Sequence, residues 1–350
     1  MTPRLLALLA FGSLLFALPL ALSFALARAV RRSVRGDERR RVRRLAAMAR
    51  AHVRGRLSAL TLVAATDRAS ETEFWGAFEA HARRLTRGER RRLGRRLERS
   101  HHLVAERRAL FAESPLRREM AARRLGLLPC ARSRRALRTA VSAAPEPAAF
   151  AAARALARDA DLRALDWLLE NPHLLSRRTA FQWTQLLFGF GRRAHPLLAE
   201  AVVRGIDDPK VLRAAVETLG LGHYSMAAPA IERLLRHDHA DVRVAAARAL
   251  GRIQAGPWSD ALLRALRDSE WPVRAQAAWA LGRLGRDEAV PALATCLTDR
   301  EWWVRRHAAY ALAGLRERGA AALRLAVQGS PDPYARDIAD EALQSIARRA

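Results

Sequence analysis

The chain has 350 residues, half of them apolar, and its only thiols, Cys130 and Cys296, are isolated and lack C-x-x-C spacing, which excludes a disulfide framework and a cysteine-based zinc site. Its formal net charge is +27, and of the 62 basic residues only Lys210 is lysine. The excess is local: residues 28–140 hold 32 Arg against 11 acidic residues (+21), whereas residues 141–350 hold 28 Arg and Lys210 against 24 acidic residues (+5), so the longer part of the chain is nearly balanced and offers no continuous basic tract.

Residues 5–27 form an uncharged run dominated by Leu, Ala and Phe. As a helix it would extend about 34 Å, enough to cross a hydrocarbon core of roughly 30 Å. The spacing predicts a transmembrane anchor over residues 1–27. A cleaved signal peptide is the rival reading, because residues 25–29 offer small side chains at cleavage spacing. Two features favour the anchor. The run exceeds the usual signal core of roughly 7–15 residues, and it is followed by Arg28, Arg31, Arg32, Arg35, Arg39, Arg40, Arg41, Arg43 and Arg44. The positive-inside rule then puts the N-terminus outside and the rest of the chain in the cytoplasm, in a single-pass protein of a bacterial inner membrane. The nine arginines become candidates for contact with anionic headgroups, the alternative being a solvated charged face.

Residues 28–113 read as a basic juxtamembrane helical region. Val42, Leu45, Ala49, Val53, Leu57, Leu60 and Ala64 recur at helical spacing. Ser70 with Glu73, and Thr86 with Glu89, have the spacing of capping boxes that open two further helices. Ser114-Pro115 marks another helix start, and from there to residue 350 the chain falls into repeated pairs of short helices, clearest over 207–343.

The repeat shows in four series. Leu219, Leu250, Leu281, Leu312 and Leu343 are each 31 residues apart, as are Val211, Val242, Val273 and Val304, continued by Ala335. Arg243, Arg274, Arg305 and Arg336 keep the same step, and Asp207, Asp238, Asp268 and Asp299 open successive units within one residue of it. Helices this short are unstable alone and must bury their stripes against neighbours, so a two-helix unit at a fixed period means a solenoid.

At Asp268 to Leu297, which reads DSEWPVRAQAAWALGRLGRDEAVPALATCL, the chain resembles HEAT repeats, specifically the short HEAT-like repeats first named in phycobilisome lyases. The resemblance implies an all-α fold, an α-solenoid of two-helix repeats with a period of 31, here preceded by a transmembrane helix and Arg-rich helices. It also implies that the second helix of each unit lines the concave face.

Asp238, Asp268 and Asp299 at helix mouths, with Arg243, Arg274 and Arg305 a few residues on, are read as structural, the carboxylates capping open amides and the guanidinium groups reaching an adjacent unit. Gly189, Gly220, Gly251 and Gly282 are read as positions that let helices approach closely or that end them, and not as a phosphate cradle. No triad signature, phosphate loop or His pair at i, i+4 spacing appears, so no catalytic residue, metal ligand or cofactor is assigned and the chain is not expected to be an enzyme. The residues of interest for binding are Trp271 and Trp302 at one repeat position, Trp303 and Tyr334 at the next, and Trp258 at the start of a second helix, with Arg233, Arg236, Arg264 and Arg267 on second helices. Aromatics at helix starts can simply cover the seam between units; the alternative is a row of binding anchors, since Trp, Tyr and Arg are the residue types that dominate binding hot spots. The expected function is a membrane-anchored scaffold or adaptor whose cytoplasmic solenoid binds a partner protein, with no small-molecule substrate. The alternatives are a nucleic-acid-binding HEAT-like protein, which the near-balanced repeats disfavour, and a bilin-lyase-like chaperone or enzyme, which rests on the resemblance alone.

Overall fold

The computed structural model of the protein describes residues 24, 28, 36–81, 84–254 and 259–348, and the described residues contain helices and turns but no strand. The chain divides into two compact units, Met1–Leu137 and Arg138–Ala350.

In the first unit α1 covers 36–53. It is followed by α2 (Ala59–Asp67), α3 (Glu71–His81), α4 (Arg87–Arg96), α5 (His101–Ala109) and α6 (Pro115–Leu125), and α7 (Ala131–Ala143) straddles the boundary. The stripe from Val42 to Ala64 is not one helix. Gly55 takes φ +73°, Arg56 N–H donates back to Ala51 O (2.8 Å), and the chain turns before Ser58 Oγ accepts from Thr61 N–H (3.2 Å) to open α2. Leu45, Ala46, Ala49 and Leu62 are buried, but Leu60 is 83% exposed. Both capping boxes close: Ser70 N–H donates to Glu73 Oε2 (3.0 Å) and Glu73 N–H to Ser70 Oγ (3.2 Å), with the same exchange between Thr86 and Glu89. Part of the arginine excess ties these helices together. Glu106, only 1% exposed, binds Arg117 and Arg124 (2.8 Å to the latter), and Arg124 also lies 5.2 Å over the Trp75 ring.

The expected location in a membrane is corrected here. Among the described residues no helix is long and apolar enough to cross a bilayer. The longest uninterrupted stretch, α1, carries Arg39, Arg40, Arg41, Arg43, Arg44 and Arg50, a charge load that hydrocarbon rejects. The single-pass assignment, and the cytoplasmic orientation derived from it, therefore find no support in the fold. Residues 5–27, on which the expectation rested, lie outside the described residues save for Phe24.

The second unit continues with α8 (Glu146–Asp159), α9 (Leu162–Glu170), α10 (Ala180–Gly189), α11 (His195–Arg204), α12 (Pro209–Leu221), α13 (Ala228–Arg233) and α14 (Ala240–Ile253). It ends with α15 (Ser259–Ala265), α16 (Trp271–Leu284), α17 (Val290–Thr295), α18 (Trp302–Gly314), α19 (Arg316–Gly329) and α20 (Pro333–Ala347). The even-numbered helices from α8 to α20 each pack on the next and form one layer, and the odd-numbered helices lie beside them as a second. Between the layers runs the core that the period of 31 specified: Leu219, Leu250, Leu281 and Leu312, with Val211, Val242, Val273 and Val304, are fully buried. Each such side chain contributes roughly 1.5–3 kcal/mol by leaving water. Leu343, at the same step on α20, is only half-buried.

Glycine sets how closely the first layer stacks. A Cβ on Gly220 would lie 2.8 Å from Ala249 Cα, one on Gly251 2.8 Å from Ala280 Cα, and one on Gly282 2.7 Å from Ala311 Cα. These distances are too short for any side-chain carbon, so successive first helices touch almost backbone to backbone.

Candidate functional site

The link from each second helix to the next first helix runs along one edge of the stack, and most of the singled-out residues gather there. The edge is held by a ladder. Arg274 clasps Asp299 with Nε (2.8 Å to Oδ2) and Nη2 (2.9 Å to Oδ1), while its Nη1 donates to the main-chain oxygen of Asp268 (2.9 Å). Arg243 does the same one unit earlier, gripping the Asp268 carboxylate at 2.8 and 2.9 Å and the Asp238 main-chain oxygen at 2.9 Å. Each carboxylate also accepts a main-chain N–H two residues on, Asp268 from Glu270 and Asp299 from Glu301 (both 2.9 Å). Burial works against the charge on Asp268 and Asp299, but these hydrogen bonds and the facing guanidinium outweigh it and hold both carboxyl groups below their ordinary value. The ladder stops at Arg305. The residue 25 positions on is Ser330, so among the described residues Arg305 keeps the Asp299 main-chain oxygen (2.8 Å) but finds no partner for its Nε, and its guanidinium lies 5.3 Å over the Tyr334 ring. Asp238 is exposed, and its main-chain oxygen is what Arg243 grips.

On this scaffold the aromatics stand at the starts of α16, α18 and α20. Trp271 is 38% exposed, Trp302 45%, Trp303 50% and Tyr334 65%. Trp302 and Trp303 meet edge to face with centroids 4.7 Å apart. Arg306 lies over both Trp302 (5.3 Å) and Tyr310 (4.7 Å) and pairs with Glu341 (2.9 Å), and the Tyr310 hydroxyl donates to the same carboxylate (2.7 Å). That bond lowers the carboxyl pKa of Glu341 and raises the phenol of Tyr310. Trp258 lies outside the described residues.

Earlier in the stack, a cleft of about 410 Å³ opens between α13 with its following turn and α15. Arg233, Arg236 and Arg264 line it, with Glu232 and Asp268, over a floor of Leu235, Ala261 and Ala265. All three arginines are exposed, as is Arg267, which lies outside the lining on the link to α16. Among the described residues these three arginines have no carboxylate within ion-pair distance. A second cleft, of about 500 Å³, lies in the first unit among His52, Arg92, Arg95 and Arg96. Arg95 and Arg96 occupy the last turn of α4, where positive charge complements the carbonyl end of a helix.

Of the residues proposed for headgroup contact, Arg39, Arg40, Arg41, Arg43 and Arg44 share α1. Arg28, Arg39, Arg40, Arg41, Arg43 and Arg44 are exposed, with Arg40 engaged by Asp37 and Arg41 by Glu73. Arg31, Arg32 and Arg35 lie outside the described residues. Among the described residues no group of three or more His, Cys, Asp or Glu is placed to hold a metal ion. Burial raises both thiols, Cys296 to about 11, which leaves it protonated and unreactive at neutral pH.

Residues 196–258 and 259–344 match the family model for HEAT repeats. This part of the chain is built of HEAT repeats. Solved structures that align with the chain include an engineered protein at 19% identity, covering 83% of this chain and 89% of that one with a TM-score of 0.39. Human deoxyhypusine hydroxylase in complex with glycerol aligns at 16% identity over 83% of this chain and 97% of its own, with a TM-score of 0.31. The complex of CpcE and CpcF of phycocyanin lyase from Nostoc sp. PCC7120 aligns at 22% over 83% and 95%, with a TM-score of 0.27. Likenesses this loose say nothing about what the chain does. No curated protein matches it.

Arg306, Tyr310 and Glu341 on this edge are not marked for binding by the sequence. Trp302, Arg306 and Tyr310 follow one another at four-residue steps, which places them on a single helical face and could have shown the Arg306 bridge. Glu341 on α20 could not be found that way, because it joins the group only when α18 and α20 pack.

Proposed function

We propose that the chain is a scaffold that binds another protein along the edge of its HEAT repeats and does no chemistry itself. The observation that carries this reading is the cleft lined by Arg233, Arg236 and Arg264, three exposed guanidinium groups without a carboxylate partner among the described residues, on the edge that also displays Trp271, Trp302, Trp303 and Tyr334. Unpaired Arg beside half-exposed Trp and Tyr is the make-up of a binding hot spot, and an extended stack presents it over several repeats. The 31-residue step and the Asp268–Leu297 pattern support placing these units with the short HEAT-like repeats.

A photo-crosslinking amino acid at position 264 or 302, introduced into the full chain in its native cells, tests the reading. Both positions should trap one and the same protein, and position 283, exposed at the far end of α16, should not. If neither 264 nor 302 traps a protein, the edge is not a binding site.

A further inference from the structure

We infer that the cleft between α13 and α15 receives carboxylate side chains from an extended acidic segment of the partner, and that the apolar residues next to that segment lie across Trp271, Trp302 and Trp303. The inference rests on the protein-binding reading above and adds the chemistry of what is bound.

The charges in the cleft are unequal once internal pairing is counted. Asp268 is consumed by Arg243, which holds both its oxygens. Glu232 then stands alone against Arg233, Arg236 and Arg264, so the cleft keeps a net positive charge. Arg233 and Arg264 occupy the same position of consecutive repeats, and so do Arg236 and Arg267. The next unit has Thr295 and Thr298 in those places, which confines the arginines to two repeats. A short run of carboxylates matches that confinement, and a guanidinium binds a carboxylate with two parallel hydrogen bonds.

The floor decides between kinds of anion. Leu235, Ala261 and Ala265 give an apolar base, against which the methylenes of Glu pack but a sugar–phosphate strand does not. A nucleic-acid strand also needs a long basic track, whereas residues 141–350 carry only +5. Trp271 follows Asp268 by three residues, so the aromatic row begins where the cleft ends. Neighbouring helices pack at roughly 8–10 Å, which puts Trp302 about two repeat steps, or ~20 Å, from the cleft. An extended peptide at about 3.3 Å per residue covers that span in roughly six residues.

The test uses the full chain and a fluorescent peptide of four glutamates, a Gly-Ser link and three leucines, with a glutamine-for-glutamate version and an oligothymidylate of equal length as comparators. Anisotropy should show the glutamate peptide binding at least about tenfold tighter than the glutamine peptide, weakening as salt rises. Arg233→Glu and Arg264→Glu should each reduce its binding about tenfold with an unchanged circular dichroism spectrum, and Trp302→Ala should weaken both peptides. Equal binding of the two peptides, binding of neither, or tighter binding of the oligothymidylate that is lost in the same Arg variants would overturn the inference. A protein still trapped from position 302 while the acidic peptide neither binds nor competes sinks this inference alone. Absence of any trapped protein sinks the reading beneath it.

Discussion

The Arg274–Asp299 pair joins two repeats through two side chains that are both largely withdrawn from water, 9% and 14% exposed. Removing one member leaves the other charge buried without compensation. Asp299→Ala should therefore cost about 3 kcal/mol, read as a lower urea midpoint, against well under 1 kcal/mol for an exposed pair such as Arg324–Glu317. The pH dependence follows from the direction of the shift. A carboxyl held below its ordinary 3.8 contributes stability that is complete above that value and is lost as pH falls through the lower folded-state value. Asp299→Asn should lose stability at neutral pH but show a shallower decline than the parent below pH 3.8, as acid unfolding curves would reveal. The repeating Asp and Arg were plain in the sequence, but the destination of each guanidinium was not. Arg274 lies only six residues after Asp268 yet takes the carboxylate 25 residues ahead, because the link between repeats folds back across the stack. Nor does any local pattern mark Ser330 as the rung where the series ends.

At the level of elements, the 31-residue step made the second unit legible: Leu and Val at fixed positions can be buried together only if paired helices stack. The same reasoning misread residues 42–64, where the apolar stripe runs on in phase although Gly55 adopts a left-handed turn and Ser58 begins a new helix. Periodicity registers which side chains share a face and is blind to a single residue with positive φ. Glycines in the first layer mattered for space. Gly282→Ala places a Cβ 2.7 Å from the Ala311 backbone, so α16 and α18 must separate, at a cost of about 1–3 kcal/mol. Gly189→Ala meets only Ala157 Cβ at 3.4 Å and should be much milder. Paired urea titrations of the two variants compare them directly, and equal losses would mean that contact between first helices does not limit stability.

Over the whole molecule, stability in a stacked unit is a sum over neighbours, with no central core to lose at once. Deleting residues 316–350 removes α19 and α20 and uncovers Leu312 and Val304. The shortened chain should keep its helical signal per residue while its urea midpoint falls and its denaturation slope shrinks with the smaller buried area. Complete loss of helical signal would show the stack to be all-or-none. The N-terminal expectation failed on a different ground: hydropathy and flanking arginines describe how a segment partitions, but the described helices contain none that could span a bilayer. What the rest of the fold does define is distance. Because Gly220, Gly251 and Gly282 let each first helix rest on the backbone of the next, Trp271 and Trp302, mounted on consecutive first helices, are held at a set interval that side-chain repacking cannot stretch. On the proposed docking, the edge would work as a ruler, and a guest whose anchoring groups are spaced by one residue too many or too few would be refused on length before its chemistry is ever read.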